Sequence, residues 1–173
     1  MRKVLIAYAS VNGTARDCAS RLAEQLTGPE VTLCDLEKTV PDPKAFDLIV
    51  VGSCIRFGKL RPAAKKFMNA CAAVCQIKPV GLFLCCGLSH NFDDYCERLI
   101  PEDLRRYAFL ISNFGGVLDP KGKSFWDRFW LRAARSSIVE SEMENGEFTP
   151  TLPGILPENI GQMAVHARKA LSE

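Results

Sequence analysis

The fold of this chain is decided by the stretch Lys3-Val4-Leu5-Ile6-Ala7-Tyr8, which runs directly into Ala9-Ser10-Val11-Asn12-Gly13-Thr14-Ala15. The first part has the apolar run of a buried strand, and the second has the small, hydroxyl-rich composition of a loop that opens a helix. The hydroxyls, the amide, the glycine and the free N–H groups of the helix start all suit an anion. The stretch therefore predicts a phosphate-binding loop.

This loop differs from two commoner phosphate-binding motifs. It has neither the G-x-x-x-x-G-K-[ST] pattern of nucleoside triphosphate sites nor the G-x-G-x-x-G pattern of dinucleotide sites. It therefore supplies no lysine for the terminal phosphate of a triphosphate. The loop favours a single phosphate monoester, bound mostly by hydroxyl and amide groups.

Strand and helix patterns alternate through the rest of the chain. Apolar runs with strand character span Val4–Tyr8, Val31–Cys34, Leu48–Gly52, Val80–Cys86 and Phe109–Phe114. Helical patterns span Arg16–Leu26, Pro62–Val74, Asp93–Tyr107 and Pro157–Leu171. This alternation predicts one α/β domain over residues 1–173, with a doubly wound, five-stranded parallel sheet covered by helices on both faces.

In a sheet of this kind, ligands bind beyond the carboxyl ends of the strands. We therefore expect three loops to converge there, over residues 10–15, 53–60 and 87–92. In the second loop, Phe57 offers an aromatic lid and Gly58 a pliable peptide, and a planar heterocycle with one phosphate tail would fit, which indicates FMN. The candidate cofactor-binding residues are Ser10, Val11, Asn12, Gly13, Thr14, Ala15, Ser53, Cys54, Ile55, Arg56, Phe57, Gly58, Gly87, Leu88, Ser89 and His90.

These segments resemble the flavodoxin family, with Ser10–Ala15 in the place of its phosphate loop and Phe57-Gly58 in the place of its ring-stacking aromatic and flavin-contacting peptide. The resemblance implies the strand order 2-1-3-4-5. The segments Gly52–Gly58, Phe114–Leu118 and Phe125–Phe129 are similar to the branch that includes the menaquinone-dependent protoporphyrinogen dehydrogenase. One departure is Ala15, where the family usually has a phosphate-binding threonine, so we expect FMN to be held less tightly by about 1 kcal/mol.

An insertion, Asp119–Pro150, is predicted before the last helix. From Lys121 to Arg135, aromatic residues and arginines recur at helical spacing, which predicts an amphipathic helix over 123–137 with an aromatic stripe beside a basic face. Three roles are open for residues 121–135: peripheral contact with a membrane, binding of an anionic amphipathic substrate, or packing on the sheet edge with the arginines solvated. The glutamates between Glu140 and Glu147 could pair with these arginines, which favours packing.

The composition excludes several classes of protein and site. A formal net charge of +2 does not suggest a nucleic-acid binder. The start of the chain has no pattern of a secretion signal, and the longest later apolar run, Val80–Leu88, is too short to span a bilayer. The eight cysteines match no metal-ligand template, so no metal is expected. We therefore expect a cytoplasmic protein with reduced thiols, peripheral at the inner membrane face if the amphipathic helix meets lipid.

The sequence contains no carboxylate pair, Ser/His triad or paired-histidine motif, so we expect any catalysis to come from the flavin itself. His90 is the titratable candidate for proton transfer near the ring, against an ordinary polar role in its loop. Three interpretations stay open. The first is an FMN-dependent oxidoreductase that passes electrons or hydride from a protoporphyrinogen-like donor to a quinone. The second is an electron carrier between redox partner proteins, and the third is a flavin-free interaction module.

The charge beside the second loop favours an oxidoreductase over a low-potential carrier. Carrier flavodoxins are strongly acidic near the flavin, whereas this chain has Arg56, Lys59 and Arg61 there. A cation close to the ring stabilises its reduced, anionic form. The sequence therefore predicts a higher potential than that of carrier flavodoxins, unless these side chains extend into solvent away from the ring.

Overall fold

The computed structural model describes residues 1–87, 91–116 and 154–173 of the chain. The strands are β1 (Lys3–Ala9), β2 (Glu30–Asp35), β3 (Leu48–Arg56), β4 (Lys59–Leu60), β5 (Val80–Cys85) and β6 (Leu110–Asn113). The helices are α1 (Thr14–Gln25), α2 (Pro62–Ala72), α3 (Phe92–Leu99), α4 (Glu102–Tyr107) and α5 (Pro157–Ser172), with a short 3-10 turn at Pro43–Ala45.

The five long strands form a parallel sheet in the order β2-β1-β3-β5-β6, which confirms the expected α/β architecture and strand order. The short β4 is an addition and pairs with β3 in the antiparallel sense. In the register of the sheet, Ala9 lies beside Ser53 and Cys54 lies beside Cys85. The carboxyl ends of β1, β3 and β5 are therefore neighbours, and the segments that follow them meet at one edge.

Side chains of each strand alternate between two hydrophobic layers, as the period of a strand requires. On one face, Leu5 and Ile49 pack with residues of α2 and α4 such as Phe67. On the other face, Ile6 packs with residues of α1 and α5 such as Leu22. Because both faces are buried, the central strands are continuous apolar runs, which is the pattern that allowed their prediction.

A close ring contact fixes the second layer under the site. The Phe83 ring of β5 stacks on the Phe114 ring with centroids 4.4 Å apart and planes 8° from parallel. The ring of Phe83 lies so close to Gly52 of β3 that a Cβ at Gly52 would be 1.9 Å from it. Only glycine fits at this position of β3.

The helix predicted over Asp93–Tyr107 is wrong in its continuity. The structure divides it into α3 and α4, with Ile100 in an extended conformation (φ −93°, ψ 133°) and Pro101 as the N-cap of α4. Proline disfavours a helical conformation in the residue before it and has no N–H to continue the helical ladder. The break buries Ile100 against the first layer.

The predicted insertion, 119–150, and the amphipathic helix within it lie outside the described residues. The described residues on either side of that segment lie next to each other. Gly115 forms an isolated bridge with Ile155, and Leu156 donates its N–H to the Phe114 carbonyl at 3.0 Å. The described residues that precede this segment and those that follow it therefore meet at one point, between β6 and α5.

Candidate functional site

The predicted phosphate loop connects β1 to α1, and its geometry suits an anion. Gly13 is the N-cap of α1 in a left-handed conformation (φ 87°), which glycine adopts without steric conflict. The first helical bond runs from the Asp17 N–H to the Gly13 carbonyl at 2.9 Å. No side chain caps this helix start. Its N–H groups, together with the positive end of the helix dipole, are therefore directed into the loop.

Ser10 carries the most informative atom of this loop. Its hydroxyl oxygen is buried and has no hydrogen-bond partner within the part of the chain that the structure describes. A buried hydroxyl without a partner is unfavourable by about 1–3 kcal/mol. An acceptor or donor from a bound group would remove that penalty, and a phosphate oxygen is an acceptor of the right kind.

The other residues of the loop differ in what they offer. Val11 and Asn12 are exposed and Thr14 is half-buried, so their side chains border solvent. Ala15 is fully buried and packs in the layer between α1 and the sheet. It offers no hydroxyl to the loop, which is consistent with the expected weaker hold on a phosphate.

The segment over residues 53–60, which we expected to be a loop, is a β-hairpin. β3 continues to Arg56, and β4 returns so that Ile55 pairs with Leu60 and Arg56 with Lys59. The strand continues because Leu60 buries its side chain in the first layer, with Ile55 packed against the same layer. The predicted strand end at Gly52 is therefore wrong by four residues, and the tip of the hairpin is Phe57-Gly58.

The tip of this hairpin is strained. Both of its residues have positive φ, 52° at Phe57 and 67° at Gly58. Two-residue hairpins of type I′ require positive φ at both positions, which glycine accepts but a bulky aromatic does not accept without strain. Phe57 is also 55% exposed. A large ring held in a strained conformation at a surface is typical of a functional position.

Ser53 anchors the hairpin from inside. It is fully buried, and its hydroxyl donates to the Cys54 carbonyl at 3.1 Å and accepts from the Arg61 N–H at 3.2 Å. These bonds tie the end of β3 to the start of α2. The Ser53 hydroxyl is therefore engaged with the backbone, and its predicted role in cofactor binding stays a prediction.

Cys54 joins the hairpin to the phosphate loop. Burial raises the pKa of its thiol, although a hydrogen bond from the Val11 backbone N–H opposes that rise. The thiol is therefore neutral at physiological pH. On the neighbouring strand, Cys85 donates its S–H to the Cys18 sulfur at 3.9 Å, so that the pKa of Cys18 is lowered and the pKa of Cys85 is raised.

The third segment of the site follows β5 and is held by a residue that the sequence analysis missed. Asn113, at the end of β6, accepts the N–H of Cys86 at 3.3 Å and the N–H of Gly115 at 2.9 Å. Its buried amide nitrogen has no partner among the described residues. A polar residue inside the apolar run Phe109–Phe114 was the available signal. The predicted residues Leu88, Ser89 and His90 lie outside the described residues and stay predictions.

Gly87, the first residue of this third segment, is closely packed. A Cβ at Gly116 would lie 2.6 Å from the Gly87 nitrogen, so the two backbones touch. The end of β5 and the turn after β6 are therefore held against each other. This contact and the Asn113 bonds fix where the third segment starts.

The cations expected beside the site are held in different ways. The Arg56 guanidinium lies over the Phe57 ring, 5.2 Å from its centroid. Arg61 forms an ion pair with Glu37 at 2.8 Å. Lys59 is exposed, with no ion-pair partner in residues 1–87, 91–116 and 154–173. The charge of Arg61 is therefore compensated by an acid, whereas Lys59 has no such acid among the described residues.

Two residues of α3 border the hairpin tip and were not anticipated. A Cβ at Gly58 would lie 3.8 Å from Tyr95 and 4.0 Å from Arg98. Arg98 lies over the Tyr95 ring, 5.6 Å from its centroid, and also pairs with Asp94 at 3.2 Å. No sequence signal distinguishes this pair from ordinary surface residues, because only the fold brings α3 to the hairpin.

The described residues contain neither a candidate metal site nor a membrane-spanning helix. No group of three or more histidine, cysteine, aspartate or glutamate side chains in them could hold a metal ion. No helix in the same residues has the length and apolarity needed to cross a membrane.

A doubly wound parallel sheet in the order β2-β1-β3-β5-β6 is the architecture of the flavodoxin-like class of α/β proteins. The family model described as "Flavodoxin domain" matches residues 5–142, and the chain belongs to that family. Membership confirms FMN as the expected cofactor. The residues present fit its phosphate, because Ser10 has a buried hydroxyl without a partner among the described residues, and none of those residues caps the helix start after Gly13 with a side chain.

Solved structures share this fold at low sequence identity. A short-chain flavodoxin associated with a PDU bacterial microcompartment superposes with a TM-score of 0.60 at 16% identity, over 99% of each chain. A flavodoxin from the domain Archaea gives 0.51 at 19% identity, over 80% of this chain and 97% of that one. No curated protein matches the sequence significantly.

A larger protein contains the same unit. The rubredoxin oxygen:oxidoreductase of the anaerobe Desulfovibrio gigas matches with a TM-score of 0.54 and 16% identity, over 99% of this chain and 36% of that chain. This chain thus spans little more than a third of that protein. At such identities the likeness establishes the fold alone.

Proposed function

We propose that this chain binds FMN with the phosphate in the loop from Ser10 to Thr14 and the ring beside the hairpin tip, and that it exchanges electrons with a redox partner there. The hydroxyl of Ser10, which is buried and has no partner within residues 1–87, 91–116 and 154–173, carries this proposal. When bound, FMN supplies one- and two-electron redox chemistry. The chain supplies binding, orientation and charge.

The proposal assigns a part to each described element of the site. Ser10 and the N–H groups at the start of α1 hold the phosphate. Phe57 offers an exposed ring on which a planar group can stack, and the Ser53 hydrogen bonds keep its hairpin in place. Burial keeps the Cys54 thiol neutral, so that it does not place a negative charge beside the cofactor.

The substitution Ser10→Ala tests the phosphate site with two readouts of opposite sign. FMN affinity should fall about 5- to 100-fold, because a hydrogen bond to a charged group is lost. The protein without FMN should become slightly more stable to urea, because the buried hydroxyl has no partner there. Ser172→Ala, at the far end of α5, is the matched control and should leave FMN affinity unchanged.

A comparison of FMN with riboflavin completes this test. If the loop binds the phosphate, FMN should bind at least about 100-fold more tightly than riboflavin, and Ser10→Ala should narrow that gap. Equal affinities would contradict a phosphate site. If neither flavin binds, the chain is better described as a flavin-free interaction module.

For the reaction itself, we propose an FMN-dependent oxidoreductase that takes electrons from an anionic, protoporphyrinogen-like donor and delivers them to a quinone. Its support is the resemblance of Gly52–Gly58 to the protoporphyrinogen dehydrogenase branch and the cations Arg56 and Lys59, which suit the carboxylates of such a donor. Anaerobic turnover of protoporphyrinogen with a soluble naphthoquinone, followed by porphyrin fluorescence, should be FMN-dependent. A rate equal to that of free FMN would contradict this reaction.

A second candidate is an electron carrier between proteins. The ion pair between Arg61 and Glu37 favours it, because one of the three cations expected to raise the potential is compensated. The two-electron midpoint potential of the FMN-loaded protein separates the candidates. A value well above that of acidic carrier flavodoxins supports the oxidoreductase, and a similar value supports the carrier.

A further inference from the structure

The hairpin and the start of α2 are rich in basic residues. Residues 48–92 contain six lysine or arginine residues and no aspartate or glutamate. One of the six, Lys78, donates to two backbone carbonyls before β5, and another, Arg61, is paired with an acid. The remaining four form what we call the basic face: Arg56, Lys59, Lys65 and Lys66.

The fold brings these four residues to the edge of the sheet that holds the site. Arg56 and Lys59 face each other across the tip of the hairpin. α2 begins directly after β4, and the Lys65 N–H bonds to the Arg61 carbonyl at 3.0 Å, which places Lys65 in the first turn. The lysines of the basic face are exposed, and their ammonium groups have no acidic partner anywhere in the described chain.

An exposed aromatic residue lies at the centre of this charge. Phe57 is 55% exposed, and Arg56 lies over its ring. The centres of protein interfaces are enriched in aromatic residues and arginine, and charged side chains surround them. The next acidic residues along the chain, Asp93 and Asp94, lie in the first turn of α3.

We propose that the basic face is the docking surface for an acidic redox protein, which exchanges electrons with the cofactor across the hairpin tip. The proposal rests on the proposed electron-transfer function and adds the charge and position of the partner. A phenylalanine with an arginine over its ring is suited to contact the surface of a partner protein. The surrounding lysines would attract an acidic partner from a distance.

The test uses one electron acceptor in two charge forms. Native cytochrome c is basic, whereas succinylated cytochrome c is acidic, and in both forms each ferric haem takes one electron. FMN-loaded protein, reduced by light and EDTA, is mixed anaerobically with each form. At low salt, electron transfer to the succinylated form should be faster than transfer to the native form. Its rate should fall about tenfold between about 10 mM and about 300 mM ionic strength.

Two double variants with the same change in net charge locate the docking surface. Lys65→Glu with Lys66→Glu should slow transfer to the succinylated form about tenfold at low salt. Lys3→Glu with Lys169→Glu, at the opposite end of the domain, should change it less than about twofold. Equal slowing by the two variants would mean that net charge alone acts and would overturn the proposal, as would faster transfer to native cytochrome c.

A binding measurement separates this proposal from the proposed function. Succinylated apocytochrome c, which carries no haem, is titrated into the flavin-free protein at low salt and followed by fluorescence anisotropy. Binding that Lys65→Glu with Lys66→Glu abolishes would support the basic face even if FMN did not load. Tighter binding of phosphatidylglycerol vesicles or single-stranded DNA to the same face would overturn an acidic protein as its partner.

Discussion

The two ends of the sheet differ in how well their polar groups are satisfied. At the amino end, the Lys3 N–H donates to the Asp47 carboxylate at 2.7 Å, and the Lys78 ammonium donates to the Lys44 and Phe46 carbonyls at 2.6 and 2.5 Å. At the carboxyl end, Ser10 and Asn113 each have a buried polar atom without a partner in the described chain.

The strained Phe57 lies at that same carboxyl end. Unsatisfied groups and strain reduce stability, and proteins retain them where a ligand or partner compensates for them. The amino end thus has its polar groups satisfied, and the carboxyl end has strain and polar atoms that a ligand would satisfy. This difference supports the proposed binding site at the carboxyl end.

Substitution of Gly52 by alanine should have the largest effect on stability. It would remove the contrast between the two ends of the sheet, because it disrupts the core beneath the site. Its Cβ would lie 1.9 Å from the Phe83 ring, which stacks on Phe114 and cannot yield easily. We expect a loss of about 3 kcal/mol or more in urea unfolding. Gly161→Ala in α5 is the control, because its Cβ has space, and it should be stabilising by about 0.5–1 kcal/mol. A mild effect at Gly52 would show that this layer is loosely packed.

Substitution of Lys78 by methionine tests the amino end. The carbonyls of Lys44 and Phe46 would lose their charged donor, so the free energy of unfolding should fall by about 1–3 kcal/mol. FMN affinity should stay the same, since this end of the sheet is remote from the site. Lys169→Met, on an exposed surface, is the control for loss of charge. Weaker FMN binding in Lys78→Met would contradict the separation of the two ends.

The dependence of the unfolding free energy on pH tests the buried interior between the two ends of the sheet. Burial raises the pKa of the Cys71 thiol from 9.0 to about 12. Between these pH values the unfolded chain loses this proton while the folded chain keeps it. The contribution of Cys71 to the free energy of unfolding should therefore be fully present below pH 9 and should be lost as the pH rises toward 12. We expect Cys71→Ala to show a shallower fall in unfolding free energy between about pH 9 and about pH 10.5. Equal slopes would mean that this thiol is accessible to ionisation in the folded state.

Substitution of Phe57 by asparagine should have the smallest effect on stability and the opposite sign. Asparagine accepts positive φ and forms type I′ turns with a following glycine, so the protein without FMN should gain about 0.5–1 kcal/mol. FMN affinity should fall, because the exposed ring is lost. The substitution Ile77→Asn, at another exposed apolar residue, should neither raise the stability nor lower FMN affinity. Unchanged FMN affinity in Phe57→Asn would remove the proposed stacking role.

The sequence predicted most of the fold because the core strands are apolar on both faces. Four of the five predicted strands differ from the structure by no more than two residues at either end. β3 is the exception, since its extension pairs with the returning β4, and a sequence shows no such pairing. The break between α3 and α4 was detectable from Pro101, whose local effect outweighed the helical pattern around it.

The candidate site was predicted in outline, and its details depended on contacts between distant segments. The candidate phosphate loop is a local motif, so Ser10 and Gly13 were proposed from neighbouring residues alone. The roles of Ser53 and Asn113 come from hydrogen bonds to segments that follow other strands. Tyr95 and Arg98 reach the hairpin only because α3 packs beside it. None of these contacts has a local signature.

The sequence by itself determined the α/β class, the order of its elements and the phosphate loop, because strand periodicity, helix starts and turn chemistry act over a few neighbouring residues. The tertiary structure alone decided that the Ser10 hydroxyl is buried without a partner among the described residues, that Phe57 is strained and exposed, and that the lysines of α2 flank the same edge. Burial, strain and summed charge depend on which distant segments are in contact, and the packing of the whole domain determines those contacts.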